Sequence, residues 1–533
     1  MYIATVPNRN SPPAFLLRES FRQGGKVKNR TLANLSRWPP ARLEALRRLL
    51  RGEFDQAAER SLTPQLGPVF GLLLVLKQIA EALGISAALG RSQLAKRALF
   101  LVLARVAHQG SRLSAVRWAQ EQAVAEVLGL APFDEDDLYA ALDTLATRQG
   151  AIEKALYQHY LQRRAQPPRL FLYDVTSSYL EGQQNELGAY GYNRDGKRGK
   201  RQIVIGLLAD EAGEPLAVRV FEGNTADPST VVEQIKIVQK QFGVRELVFV
   251  GDRGMVKSKG KQALSDASLR YITALTDPQI RRLLSAGTLQ LSLFTETVTE
   301  VEGAGVRYIL RKNPQEAERE HHRLQDKLAK LQARIAARNQ QVREHPRCAP
   351  AAGQRKIEAW VERHKLTGLV EILLVGNQWQ VERREAAITR ALELAGCYVV
   401  TTDVPGADLS AQQVHDSYKA LTRVERDFRT LKTGLLEARP VWVRKENRTR
   451  GHVFCCLLAL KVSRELERRL QATFGTTDTR ADAVTLPDAL RSLARLCLLH
   501  YRLDEQTTVT KLPQPDARQQ TLLQALGITL PKL

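Results

Sequence analysis

Apolar residues recur at two different spacings along this chain, and the change from one to the other divides it. From about residue 65 to 164 they return every three or four positions, through LLLVLKQIAEAL, KRALFLVLARVAH and AVAEVLGL. That period lays one face of a helix against a core. Upstream, QGGKVKNRTLANLSRWPPARLEALRRLL reads as a basic hairpin or arm. A helix follows, opened by Ser36 or Trp38 with Pro39 and Pro40, and carries Arg42, Arg47, Arg48 and Arg51. Gln166, Pro167 and Pro168 end the helical period, and β character follows at once.

RLFLYDVTSSYL predicts a buried strand, and IVIGLLAD and LAVRVF predict two more joined by the turn DEAGEP, which makes a meander. Asp227 is expected to cap a helix with Pro228 at its first position. Val231, Ile235, Val238 and Phe242 share one face of that helix before Gly243 ends it. RELVFVG is the next strand, and a right-handed crossover lays it beside the first. Asp252 then comes close to Asp174. A shorter strand, YITAL, follows a Lys-rich helix.

Between about 278 and 396 the register breaks into a β segment, TLQLSLFTETVTEVEGAGVRYIL, and a long polar helix. In that helix Ala317, His321, Leu324, Leu328, Leu331 and Ile335 keep a heptad seam, the mark of a hairpin or coiled-coil arm. Strand signal resumes at GCYVVTTD, so the block reads as an insertion in a continuous α/β sheet. Ser410 and Gln413 then have capping-box spacing. Val414, Tyr418, Leu421, Val424, Phe428, Leu431 and Leu435 form the buried seam of one helix. Tyr418, Glu425 and Lys432 recur every seven residues at the seam's edge, where Glu425 is expected to face the sheet rather than bulk water.

Composition changes the picture in one respect. The 533 residues hold 79 Lys and Arg against 57 Asp and Glu, a formal charge of +22. A polyanion is the expected partner, because the cations cluster near the acidic motifs. The five cysteines form no C-x-x-C pair, so neither a disulfide framework nor structural zinc is expected; Cys397, Cys455, Cys456 and Cys497 lie in apolar runs. The N-terminus has no charged region followed by an apolar stretch, no window reaches the length of a membrane span, and a cytoplasmic protein is expected.

Asp174, Asp252 and Glu425 stand at the ends or edges of three hydrophobic elements, where a carboxylate is costly unless a cation compensates it. An oxygen-only cluster suits Mg²⁺ or Mn²⁺. Two such ions, about 3.5 to 4 Å apart, activate a nucleophile, neutralise the phosphorus centre and stabilise the leaving 3′ oxygen. Asp174 is the natural bridging ligand, with Asp252 completing one ion and Glu425 the other. Lys432, Tyr418, Arg429 and Arg253 are placed to contact phosphates, and GAYGYNRDGKRGKR mixes Tyr190 and Tyr192 with Arg194, Lys197, Arg198, Lys200 and Arg201, a grip for a strand end. Taken singly, each aspartate reads more simply as a turn residue, Tyr418, Glu425 and Lys432 as an ordinary exposed stripe, and the loop as a solvated hairpin tip. The ordered combination carries the weight.

These motifs resemble the bacterial insertion-sequence transposases of the DDE class. The resemblance rests on DVTS at Asp174, GDRG at Asp252, and a Y-x2-R-x3-E-x6-K signature on Tyr418, Glu425 and Lys432; it covers about residues 165 to 475, and NRTLANLS is similar to the start of one long-chain branch. The signature's arginine falls on Leu421, with Arg423 as the neighbour that can replace it. The resemblance implies a fold: an α/β, ribonuclease-H-like mixed sheet with flanking helices, interrupted by an insertion domain and preceded by a helical N-terminal domain. It implies binding of double-stranded DNA at terminal inverted repeats, nicking, and attack of the freed 3′ hydroxyl on target DNA. A homodimer in a synaptic complex with Mg²⁺, in a bacterial nucleoid, belongs to the same expectation. RPVWVRKENRTRGHVF, with Arg444, Lys445, Arg448, Arg450 and His452, would add a phosphate-binding strip.

The expected division is 1–62 basic arm and helix, 63–165 helical and DNA-binding or a plain supporting bundle, 166–277 first part of the core, 278–396 insertion, 397–475 second part of the core, and 476–533 a C-terminal helical tail suited to dimerisation. The acids fit a structure-specific nuclease on the same fold equally well, and the charge fits a non-enzymatic nucleic-acid scaffold or an inactive transposon remnant. The large insertion and the basic N-terminal unit favour the transposase, since both suit assembly of paired ends.

Overall fold

The computed structural model describes every residue except 9–10, 24–25, 53–63, 245, 254, 257, 304, 346–349, 433–435, 437, 440, 477–482, 503–507 and 532–533. Three antiparallel strands, β1 (Tyr2–Val6), β2 (Ala14–Gln23) and β3 (Lys26–Asn34), open the chain and lead to helix α1 (Pro40–Leu50). The expected arm is therefore a small sheet with its own core, in which Leu17, Leu35, Trp38, Leu43 and Leu46 pack with Val509 from the C-terminal region. Pro39, rather than Ser36 or Trp38, stands at the N-cap of α1, and no side chain caps it.

After β4 (Pro64–Val69) come the helices α2 (Gly71–Ala82), α3 (Ile85–Leu89), α4 (Gln93–Ala107), α5 (Arg112–Gln120), α6 (Val124–Leu128) and α7 (Glu135–Gln162). Asp134 and Asp137 close a reciprocal capping box at the start of α7, and three acids occupy its first turn, where the helix dipole favours them.

The main sheet follows. Its elements are β5 (Leu170–Tyr179), β6 (Gln202–Asp210), β7 (Pro215–Glu222), α8 (Asp227–Lys236), β8 (Val248–Gly251), α9 (Ser258–Asp266), β9 (Arg270–Ala274), α10 (Asp277–Ser285), β10 (Thr299–Gly303) and β11 (Val306–Lys312). The insertion interposes α11 (Pro314–Glu344), α12 (Pro350–Arg363), β12 (Val370–Val375), β13 (Gln378–Arg383) and α13 (Glu385–Leu392) before β14 (Cys397–Thr402) completes the sheet. The strand order is β10-β11-β14-β9-β8-β5-β6-β7, with β5–β8 and β8–β9 parallel and the other pairs antiparallel. The meander and the crossover stand as the sequence predicts. Asp227 occupies the first helical position of α8 rather than the N-cap, because Ala226 before it is the residue with extended backbone (φ −76°, ψ 140°); its carboxylate is bound by Arg194.

The β segment expected inside the insertion belongs instead to the main sheet: β11 pairs with β14, with Lys312 opposite Cys397. The insertion's long helix buries Leu328, Leu331 and Ile335 against Ile357, Val361 and Trp379, so its seam is covered by α12 and the β12–β13 hairpin, while His321 is exposed.

Beyond the sheet lie α14 (Ala411–Lys419) and α15 (Leu421–Lys432), two helices where the pattern suggests one, broken at Ala420. The Ser410–Gln413 capping box is present; Leu435 lies outside the described residues. Then come α16 (Glu446–Phe474), α17 (Leu486–Leu493), β15 (Cys497–Arg502), β16 (Thr508–Lys511) and α18 (Ala517–Ala525). The C-terminal segment is thus mixed rather than helical, with β15 between β4 and β16.

One apolar core joins α2 to α7, α16 and one face of the sheet through Leu172, Ile205, Leu207 and Val250; a second, around Phe171, Tyr173, Val231 and Phe249, packs α8 and α9 on the other face. The closeness of α7 and α16 depends on Gly451, where any Cβ would collide with the Leu142 carbonyl. Cys455 and Cys456 are buried free thiols in this core, and Cys348 lies outside the described residues.

Candidate active site

Parallel pairing brings the two aspartates together. Tyr173 on β5 is in register with Gly251 on β8, so the next residue on each chain, Asp174 and Asp252, emerges side by side. Adjacent strands lie about 4.8 Å apart. Asp174 is the one residue in the first eight of β5 that is not buried outright, and the Val175 N–H donates to its Oδ1 at 2.7 Å. Its carboxyl is pushed up to about 7, first by burial and then by the negative charges of Asp252 and Glu425; the Val175 N–H and Arg194 oppose the rise. The third acid therefore shares the same electrostatic field.

Glu425 sits on α15 at the edge of the seam that buries Leu421, Val424, Phe428 and Leu431. Against expectation its side chain is exposed, and it has no hydrogen-bond or ion-pair partner among the described residues. Tyr418 donates its hydroxyl to Asp252 Oδ1 at 3.1 Å, and Arg253 reaches the same phenol. Burial and the charge of Asp252 push that phenol far above its ordinary value.

Lys432 is not a free cation here. Its Nζ lies 2.8 Å from Asp195 Oδ1, which also takes Arg439 at 2.6 Å, while Oδ2 accepts from the Tyr179 N–H at 3.0 Å. The Asp195 side chain is 1 % exposed, and its two ion pairs tie the basic loop to the end of α15. Burial pulls the Lys432 ammonium down and Asp195 partly restores it. Sequence reasoning missed Asp195; its signal was a lone acid inside a run of cations.

Other loop cations are also engaged within the chain. Arg194 grips Asp227 with both contacts at 2.7 Å and lies over Tyr192, Lys200 pairs with Glu181 at 2.6 Å, and Arg201 reaches the Gln183 carbonyl and the face of Tyr190. Lys197 lies over Tyr179, and Arg198 is exposed. Tyr190 and Tyr192 are 60 % and 81 % exposed, which leaves ring surface open to a stacking partner. On α15, Arg423 bonds to the Glu211 carbonyl and Arg429 is exposed.

Arg448 and Arg450 do not form an open strip. They bind Asp143 of α7 and the Val220 carbonyl of β7, stapling α16 to its neighbours. His452 is buried against Arg112 and the Ala438 carbonyl and held well below its ordinary pKa by burial, so it is a neutral core residue.

Among the described residues, no three His, Cys, Asp or Glu side chains stand close enough together to hold an ion as they are. The donor set nonetheless fits a hard divalent cation: all oxygen, with Asp174 carrying a charge that its burial and two like charges make unfavourable. No helix among the described residues is long and apolar enough to cross a membrane.

Comparison with known proteins places most of the chain in one family. A family model described as "Transposase DDE domain" matches residues 165–461, and one described as "IS1634 family transposase, N-terminal domain" matches residues 3–65. No curated protein matches. Among solved structures, a chain from a piggyBac transposase synaptic complex with hairpin DNA shares 8 % identity over 79 % of this chain and 78 % of that one, at a TM-score of 0.37, too low for the likeness to carry an argument.

Proposed function

We propose, for a chain that belongs to the DDE transposase family, that Asp174, Asp252 and Glu425 are its catalytic carboxylates and that it cuts the ends of its own element and joins them to target DNA. The observation that carries this is the register of β5 and β8, which sets Asp174 beside Asp252, together with the field of Glu425 on Asp174. Two divalent ions, Mg²⁺ or Mn²⁺, held by these carboxylates would supply charge neutralisation at the phosphorus and activation of the attacking oxygen.

The chain's own residues do the positioning. Tyr418 fixes the orientation of Asp252 through its hydroxyl, and the buried Asp195 pairs hold the 190–201 loop against the end of α15. Tyr190 and Tyr192 offer ring faces on which bases at a strand end can stack. The terminal inverted repeats and a homodimer pairing two ends complete the proposal.

Incubating the purified protein and Mg²⁺ or Mn²⁺ with a duplex carrying the element's terminal repeat and a supercoiled target tests it. Metal-dependent joining that Glu425→Gln lacks supports the reading. Cleavage without joining would make the protein a nuclease, and full activity in Glu425→Gln would remove Glu425 from the site.

A further inference from the structure

The β2–β3 ribbon extends well past the sheet that supports it. β1 pairs with β2 only as far as Arg18, whereas β3 continues to pair with β2 through Gln23. From Arg18 to Gln23 the ribbon has β2 and β3 alone, about 17 Å of two-stranded structure at a strand's rise per residue. A register shift between Leu17 and Arg18 marks the place where it departs. Such a bulge bends and twists the strand beyond it. Leu17, below the shift, is core; beyond it Ser20, Arg22, Gln23, Lys26, Val27, Lys28 and Asn29 are all exposed.

Two free-edged strands with polar faces gain little from water alone. Their charge says what they suit. Between Arg18 and Arg30 the ribbon carries five cations and one carboxylate, and that carboxylate, Glu19, is held by Arg30 at 3.1 Å. Among the described residues no hydrogen bond or ion pair engages the side chains of Arg22, Gln23, Lys26 or Lys28.

Cross-strand pairing sorts the side chains by face. Arg22 opposite Val27 and Ser20 opposite Asn29 share one face, and the Ser20 hydroxyl donates to Asn29 Oδ1 at 2.7 Å, which leaves the Asn29 amide donors outward. Gln23 opposite Lys26 and Phe21 opposite Lys28 form the other. One face thus offers an arginine, an amide and the 63 % exposed Val27; the other offers lysines.

We infer that this ribbon enters the major groove of duplex DNA, with Arg22, Val27 and Asn29 toward base edges and Lys26 and Lys28 toward phosphates. The major groove, about 12 Å wide and 8.5 Å deep, admits a two-stranded ribbon. Arginine suits guanine O6 and N7, asparagine suits adenine, and an apolar side chain suits the thymine methyl. A second copy of the ribbon is disfavoured as occupant, since like charges would meet along lysine-bearing edges. The inference rests on the transposase reading, because it supplies the contact by which the enzyme finds its own ends.

The test uses the full chain with Arg22→Ala/Asn29→Ala and, separately, Lys26→Ala/Lys28→Ala, on duplexes with intact and scrambled terminal repeats. Dimethyl sulfate protection of guanine N7 and affinity are the readouts, with melting temperature and oligomeric state as controls. The first variant should lose N7 protection and at least tenfold of the preference for the intact repeat, at unchanged melting temperature. The second should weaken both duplexes alike and flatten the salt dependence. Wild-type selectivity with unchanged protection in the first variant would overturn the ribbon's role and leave the transposase reading standing. A change of oligomeric state with DNA binding intact would assign the ribbon to self-association and overturn it too. Absence of any preference in the wild type would remove both.

Discussion

At the scale of single residues the site is defined by a carboxylate in an unfavourable place. Asp174 has an ordinary value of 3.8 and is pushed up to about 7. A carboxyl raised in the folded state favours folding below its unfolded value, and that contribution is lost as pH rises through about 7. Without metal, Asp174→Asn should therefore melt a few degrees above wild type at pH 8, with the difference vanishing toward pH 4; thermal melts in EDTA check this, and a difference independent of pH would contradict it. The same variant should lose at least about a thousandfold in strand cleavage, given the share of the barrier that such charge stabilisation supplies. Asp195 makes the opposite case. Removing it as Asp195→Ala strands the cations of Lys432 and Arg439, 12 % and 24 % exposed, and should cost about 3–5 kcal/mol, as loss of one member of a buried ion pair does. Denaturant melts should show Lys432→Met costing less, because Arg439 still compensates the carboxylate; equal costs would mean that Arg439 does not. The juxtaposition of Asp174 and Asp252 was legible because the apolar runs ahead of both marked the strands that carry them to one edge. Asp195 was not, because its partner lies 237 residues away.

At the scale of elements, strands with near-continuous apolar runs declared themselves. Every residue of β6 is buried, and β5 is buried along almost all of its length. The two that were misplaced, β10 and β11, have alternating or partial burial at or next to the sheet's edge, and β14, the partner of β11, lies beyond the whole inserted block. A half-buried edge strand gives a weak period-2 signal, and its partner across an insertion gives none. The break at Ala420 was hidden for a different reason: the apolar spacing runs on through α14 and α15 although the helix does not. The pairing of Lys312 with Cys397 makes a prediction, since it leaves the two ends of the insertion on adjacent antiparallel strands. The inserted helices and hairpin also have a core of their own. Replacing residues 314–392 by a short glycine-containing turn should leave a soluble chain with a cooperative melt and unchanged sheet signal in circular dichroism. Aggregation or loss of the cooperative transition would show that the sheet depends on the insertion.

At the scale of the whole molecule, the charge of +22 marked a polyanion partner before any residue was placed, but not where on the surface it binds. Arg194, Lys200, Arg448 and Arg450, which stand out as cations in the sequence, have carboxylate partners within the chain. The N-terminal ribbon carries exposed cations, Arg22, Lys26 and Lys28, with none among the described residues, a distinction that only folding reveals. We propose that three acids from β5, the end of β8 and α15 form one metal site. Counting Mn²⁺ bound to the complex of the protein with a terminal-repeat duplex, by electron paramagnetic resonance, tests it most directly. Two ions per chain in the wild type, with at least one lost in each of Asp174→Asn, Asp252→Asn and Glu425→Gln while DNA binding persists, is the predicted result. Unchanged Mn²⁺ occupancy in the three variants, or none in the wild type, would contradict it.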